Sequence, residues 1–315
     1  MTSEESQRVP PDVIAYIREH RMMELDAVHT TTRVLLAVGM YAGLAALGLW
    51  ADTLMLWCAV WIGMGFAMLS AGAAMHEGVH RLLYRSRWLN DLVGGFGAGV
   101  LLIPFEVYRR LHIAHHRSVS TPEDPEPRGT YTSFIQWLVL AFISTPLYIG
   151  LFWFHGLRAV AGRPPAFLRA SGARRAVAIN LGCLGAWIAA TIAATFAWPS
   201  LVFHLYWAPL LYTWIVLVTL VTVPEHYGCR LGPASPFVTT RTTTSNAILS
   251  YFFWNTNYHA AHHVHAGVPS RRLPELHEVI KERCQFVEPS FFAWHARLVG
   301  NLLRRTPVSA RQAST

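Results

Sequence analysis

Half of the 16 histidines in this chain lie in three short clusters: His76-Glu-Gly-Val-His80, His112-Ile-Ala-His115-His116 and His259-Ala-Ala-His262-His263. Another, His226, stands in Pro-Glu-His-Tyr-Gly just after the last strongly apolar segment. Imidazoles three or four residues apart project from one face of a helix and can close on one metal ion. A structural zinc takes four ligands and leaves no vacancy. Two three-histidine sets, a pair and His226 supply enough nitrogen for two ions with open positions. Iron, zinc, copper and nickel all accept neutral imidazole, so ligand type alone does not name the ion. The surplus over four favours a dinuclear site, and iron is the usual choice where oxygen chemistry is wanted. Nearby carboxylates could accept the ring N–H that a ligating histidine leaves over. Glu77, the Glu123/Asp124 pair and Glu225 are the candidates, and Asn257 could hydrogen-bond a ligand. His20, His29, His155, His277 and His295 read as surface or cap residues. His204 falls in an apolar span, too far away to join, and the role of His265 stays open.

The elements that must position these groups are membrane helices. The chain of 315 residues is 53% hydrophobic and 14% charged, with mean hydropathy +0.30 and 12 tryptophans. Its net charge of +8 could suggest nucleic acid, but the charges flank the apolar segments instead of forming a binding stripe. The four cysteines are far apart with no Cys-x-x-Cys pair, which argues against a disulfide framework or a thiolate zinc site. No cleavable signal peptide is visible, and the expected N-terminus is cytosolic. Residues 1–33 are expected to form an N-terminal segment, with an amphipathic helix over Val13–His29 on the membrane surface. Residues 34–305 form the membrane domain, and 306–315 a disordered tail.

Spanning helices are expected over 34–50, 54–75, 176–198 and 201–223. Leu92–Phe105 is too short to cross and rich in glycine, so it reads as re-entrant or interfacial. If all clusters serve one site, the crossings between His116 and His226 must be even in number, yet hydropathy offers three candidates. Residues 134–154, with Gln136 and a Ser-Thr-Pro break at Pro146, are expected to be an interfacial or broken helix. The external turns at Asp52 and Pro199-Ser200 then carry no arginine or lysine, while the Arg158–Arg175 group and the C-terminal region fall on the histidine side. The positive-inside rule makes that side cytoplasmic. The fold expected is an all-α membrane bundle of four spanning helices, with a cytosolic helical cap holding the metal site.

The histidine order and its surroundings resemble the membrane fatty acid desaturase family. His76-Glu-Gly-Val-His80 followed by Arg81-Leu-Leu-Tyr-Arg-Ser-Arg-Trp-Leu-Asn90-Asp91 is similar to the family's first box and trailing segment. Asn257-Tyr-His259-Ala-Ala-His262-His263-Val-His-Ala-Gly-Val-Pro269, then Leu273-Pro274-Glu-Leu-His277, resembles the third box and its tail. The likeness runs from about Leu54 to Ile280. It implies a non-haem di-iron centre, O2 as co-substrate and hydrogen abstraction from an unactivated C–H bond of an acyl chain. It also implies His76, His80, His112, His115, His116, His226, His259, His262 and His263 as ligands. Three residues between the histidines of the first box, unlike the four of the acyl-CoA Δ9 type, place the chain nearer acyl-lipid, sphingolipid and carotenoid-modifying relatives. Glu225-His226-Tyr227-Gly228 is also similar to the alkane monooxygenases, whose second box is spaced differently.

The reaction expected is O2-dependent introduction of a double bond into a fatty acyl chain. Hydroxylation of an acyl, alkyl or carotenoid-like substrate is the alternative, and a zinc-dependent membrane hydrolase or a non-catalytic metal or haem carrier the rival classes. The sequence has no Cys-x-x-Cys pair, no glycine-rich dinucleotide fingerprint and no room for a haem domain, so electrons must come from a ferredoxin, rubredoxin or cytochrome b5 type donor.

Overall fold

The computed structural model describes residues 9–126, 131–232 and 234–304. The tail expected to be disordered and the first eight residues of the N-terminal segment lie outside them. Among the described residues the architecture is helical, with strand confined to a two-residue parallel pair. The chain divides into two compact units. The membrane unit comprises Leu25–Ala114 and Pro146–Trp214, and the cap unit Met1–Glu24, His115–Thr145 and Ile215–Thr315.

Five helices are long and apolar enough to cross a membrane: α2 (Ala27–Gly48), α3 (Leu54–Val79), α6 (Phe134–Val160), α7 (Ala173–Ala197) and α8 (Pro199–His226). Large apolar side chains stand exposed along them, among them Leu36 and Leu47 on α2, Phe142 on α6 and Phe196 on α7. A helix with that surface needs hydrocarbon around it. Residues 134–154, expected to be interfacial or broken, lie in one continuous helix with Pro146 inside it.

In the membrane unit, α2 begins at Ala27 because Asp26 accepts the His29 N–H at 2.9 Å and caps the helix. Helix α3 is joined to α4 (Arg87–Val100) by close backbone approach at glycine. A Cβ on Gly78 would lie 2.8 Å from Gly94 Cα, and one on Gly97 would lie 2.4 Å from the Ala71 carbonyl oxygen. Helix α5 (Phe105–Ser118) follows α4 at a bend of 103°. Carbonyls freed at the bend need partners in an apolar medium. Tyr206 donates to the Val100 carbonyl at 3.0 Å and Trp214 Nε1 to that of Leu101 at 3.3 Å. Arg109 on α5 pairs with Asp91 on α4 at 2.6 Å and with Glu106 one turn back.

The cap unit has its own core. Val13 and Ile17 of α1 (Pro11–Glu19) are buried with Phe237 of α9 (Pro236–Thr239), Ala261 and Val264 of α11 (His259–Val264), and Leu273, Leu276 and Ile280 of α12 (Leu273–Ile280). This corrects the expected membrane-surface role of the N-terminal helix: its apolar face is spent on the cap. Strand β1 (Thr242–Thr243) pairs in parallel with β2 (Val287–Glu288). Between β1 and α11 lies α10 (Ala247–Phe252), capped by Asn246. Helix α13 (Phe291–Leu303) buries Trp294, Leu298 and Leu302 against Tyr131, with Phe134 and Trp137 of α6 packed alongside.

Candidate metal centre

Helix α3 places His76 in its last turn and His80 at its C-cap. The helix stops there because Arg81 takes a left-handed backbone (φ 60°). The Leu82 N–H reaches back to the Glu77 carbonyl at 3.0 Å and the Arg81 N–H to that of Gly78 at 3.1 Å. Beyond the stop, buried Asn90 accepts from Leu83 N at 3.0 Å and donates to the carbonyls of Tyr84 and of Ser86, the latter at 3.0 Å. His112 comes from α5. The rings of His76, His80 and His112 meet edge to face, with centroids 5.1, 4.8 and 5.2 Å apart, and their ligand nitrogens lie within 4.8 Å of one another.

The cap unit gathers the other six. His115, His226 and His263 offer nitrogens within 4.8 Å of one another. His116 Nε2 faces His262 Nε2 at 2.9 Å, and His226 Nε2 faces His259 Nε2 at 3.0 Å. Proton accounting makes the second pair informative. His226 Nδ1 lies 3.0 Å from the Thr239 carbonyl, which can only accept, so that nitrogen carries the proton. His259 Nδ1 lies 3.4 Å from Glu225 Oε1. In a neutral ring His226 therefore presents its unprotonated Nε2 to His259. At 3.0 Å the two nitrogens are close enough to meet on one ion.

His115 completes the pattern. Its Nδ1 donates to Asp124 Oδ1 at 2.9 Å and lies 3.2 Å from Glu126 Oε2, leaving Nε2 for a metal. His263 Nε2 is buried with no hydrogen-bond partner among the described residues. Burial first, then the neighbouring imidazoles of His116, His259, His226 and His115, holds the His263 pKa well below the ordinary histidine value. A neutral, all-imidazole donor set with carboxylates behind it fits iron and other borderline divalent ions.

Of the expected supporting groups, Asp124 and Glu225 contact ligand histidines. Asn257 does not. Its amide donates to the Thr243 and Thr244 carbonyls at 2.8 and 3.3 Å and to Ser250 Oγ at 3.2 Å, fixing the turn that leads into α11. Glu77 is buried on α3, where its backbone carbonyl closes the helix. Sequence reading passed over three supports. Glu126 was legible as the third acid in the turn after the second cluster. The Thr239 carbonyl had no sequence signal. Nor did Arg241, which stands among threonines yet is 1% exposed. Its guanidinium donates to the carbonyls of Pro224 and, at 2.7 Å, Tyr227, and lies over the rings of Phe286 and Trp294. Its own N–H bonds the Glu225 carbonyl at 2.8 Å, so it fastens both sides of the His226 turn.

His277 and His295, expected at the surface or in the cap, are buried in the cap at 3% and 6% exposure. His204 stacks on Trp57 and Trp61 in the membrane unit. His265 Nδ1 accepts from Gly267 N at 3.2 Å, a local turn contact.

Residues 51–295 match the family model described as fatty acid desaturase. Among curated proteins, an sn-1 oleoyl-lipid 12-desaturase of Synechocystis sp. is 27% identical over 262 residues, covering 74% of this chain and 71% of its own. An enzyme of the same name from Picosynechococcus sp. is 25% identical over 299 residues, 86% of this chain and 82% of its own. A bifunctional fatty acid conjugase/Delta(12)-oleate desaturase of Punica granatum is 32% identical over 95 residues, 29% of this chain and 24% of its own.

Proposed function

The chain belongs to the fatty acid desaturase family, oxidoreductases that introduce double bonds into fatty acyl chains, and on that premise we propose that its nine clustered histidines hold two iron ions and that O2 is the co-substrate. The observation that carries the metal reading is the gathering of His115, His226 and His263, whose nitrogens lie within 4.8 Å of one another, with His259 Nε2 a further 3.0 Å from His226 Nε2. Two irons held this way supply O2 activation and hydrogen abstraction from an unactivated C–H bond.

The chain's own residues do the positioning. In the membrane unit His76, His80 and His112 bring their nitrogens together; in the cap unit His115, His226 and His263 do the same, with His116 facing His262 and His226 facing His259. Asp124, Glu126, Glu225 and the Thr239 carbonyl hold the remaining ring protons, fixing tautomer and orientation. The substrate proposed is a monounsaturated acyl chain esterified in a membrane lipid, with desaturation at the position named for the two cyanobacterial relatives. Electrons come from a separate carrier of ferredoxin, rubredoxin or cytochrome b5 type.

The membrane arrangement proposed has α2, α3, α7 and α8 crossing and the metal site on the cytoplasmic side. Parity supports it. His115 and His226 have ring centroids 4.9 Å apart, so they share one side, while α6, α7 and α8 separate them in sequence. One of the three does not cross. The start of α6 packs on the amphipathic cap helix α13, through Trp137 and His295 at 6.1 Å, which favours α6 lying at the interface. The arginine-free turns at Asp52 and Pro199-Ser200 then face outward.

The test is product analysis after expression with oleoyl phospholipid under air and under argon, with metal content measured on the same protein. Loss of two hydrogens in air alone, with two irons per chain, is the expected result. Turnover that ignores O2, or a single zinc, would sink the proposal.

A further inference from the structure

Between Glu126 and Glu225 the sequence has no aspartate or glutamate. The turn from α6 to α7, in the membrane unit, nevertheless carries Arg158, Arg163, Arg169, Arg174 and Arg175. All five are exposed, and among the described residues none forms an ion pair with a carboxylate. Arg158 lies over the Phe154 ring at 5.5 Å, which leaves its charge uncompensated. Arg109 and Arg110 of the same unit are, by contrast, matched to Asp91 and Glu106. Five guanidinium groups without one acid form an anion-seeking surface, and each such charge near an anionic leaflet contributes about 1 kcal/mol of attraction.

A second feature of the same turn points to an oxyanion. Helix α7 runs for 25 residues and starts at Gly172 in a left-handed conformation (φ 76°), with no side chain capping its first turn. Ala173 N–H is bonded to the Ala170 carbonyl and Ala176 N–H to that of Gly172. The N–H groups of Arg174 and Arg175 belong to that first turn, at the positive end of the helix dipole. Gly172 brings no Cβ, and nothing lies within 4 Å of where one would stand. The uncapped start of α7 and the exposed Arg169, Arg174 and Arg175 thus lie within seven residues of one another in sequence. Planar forks are suited to the paired oxygens of a phosphodiester.

We propose that the α6–α7 turn is a binding surface for the headgroup of an anionic phospholipid, seated by Arg169, Arg174, Arg175 and the open start of α7. The lipid bound there is a bilayer component of the leaflet the turn faces. Its effect on turnover rests on the desaturase reading above; its binding does not. Turnover and binding are therefore measured separately.

The full-length enzyme in neutral detergent is incubated with fluorescent phosphatidylglycerol or phosphatidylcholine and the retained lipid is quantified at low and high salt. Wild type is expected to retain phosphatidylglycerol preferentially, the preference shrinking as salt rises. The triple variant R169Q/R174Q/R175Q keeps Arg158 and Arg163, so the turn stays cationic for insertion, and should lose about 10- to 100-fold of that preference. The corresponding triple lysine variant preserves charge and should recover most of it, which a folding defect would not allow. Iron content unchanged in both variants shows that the site is intact. Equal phosphatidylglycerol retention by wild type and the glutamine variant would overturn the proposal. So would complete displacement by millimolar inorganic phosphate, which would mark a small-anion site instead. A variant that loses phosphatidylglycerol while turnover in neutral lipid persists supports the surface and leaves the desaturase reading untouched.

Discussion

Two regions present histidines to metal by opposite means. His76, His80 and His112 stand on long helices of the membrane unit, and glycine contacts between backbones, at Gly78/Gly94 and at Gly97/Ala71, fix where those helices lie. Of the six histidines of the cap unit, His115 and His116 stand in the last turn of α5, His226 ends α8, and His259, His262 and His263 lie on the short α11; they are held through Asp124, Glu126, Glu225, the Thr239 carbonyl and Arg241. The first set is positioned by packing and the second by hydrogen bonds. Helices in hydrocarbon pack closely through small residues, and no water competes for their backbone bonds. A polar cap cannot rely on that, because short elements have little packing surface and water solvates any group left unpaired. Damage to the first region should therefore act by displacing helices, and damage to the second by freeing a ring or a charge.

The largest effects should come from striking each device directly. Gly97→Val pushes a branched side chain into the Ala71 carbonyl, a backbone atom that cannot step aside, so α3 and α4 must separate. Activity and iron should fall together to background. Arg241→Leu is the matching cut in the cap. It strands the Pro224 and Tyr227 carbonyls and takes from Glu288 one of its two arginine partners, Arg241 at 4.0 Å, leaving Arg297. A loss of about 3–5 kcal/mol is expected, read as a lower thermal midpoint in detergent. If Arg241→Leu left stability unchanged, the hydrogen-bonded description of the cap would fail.

The next effect is specific to the cap. Burial pushes the His295 pKa down to about 4, from an ordinary value near 6.5. The unfolded chain therefore binds the extra proton first. The stability is fully present above about pH 6.5 and is lost as pH falls towards 4, by about 3 kcal/mol in all. Thermal midpoints of iron-free protein should drop over that window, and His295→Gln should flatten the drop. An identical pH dependence in wild type and variant would remove His295 from the account.

What the sequence made legible divides along the same line. Histidine spacing on helices, the apolar spans and the glycine-rich stretch are local patterns, and the membrane unit follows them closely. The clusters of the cap were equally plain, but their supports were not. Arg241 is buried by groups from Pro224 to Trp294, and no local pattern records that closure. His277 and His295 read as surface or cap residues, and tertiary packing buries both within the cap. The N-terminal helix is amphipathic, as its pattern says, but the pattern does not say whether lipid or protein covers the apolar face. Val13 and Ile17 answer that in favour of protein.

The smaller effects grade the hydrogen-bonded set itself. Asp124→Asn removes the charge behind His115 Nδ1 and should weaken iron retention about 10- to 100-fold against a chelator. Glu126→Gln should do far less, about threefold or under. Its carboxylate lies farther from the same nitrogen, at 3.2 Å against 2.9 Å, its side chain is 28% exposed where that of Asp124 is 2%, and a glutamine oxygen can still accept. The two acids share one proton, so their effects should not add. With Asp124 intact, Glu126 is a spare acceptor; with Asn at 124, it becomes the only carboxylate on that ring among the described residues. Adding Glu126→Gln to Asp124→Asn should then cost more than Glu126→Gln costs alone, and the excess in a double-mutant cycle measures the reserve. Strict additivity would mean that Glu126 does not serve His115 at all and that Asp124 holds the ring unaided.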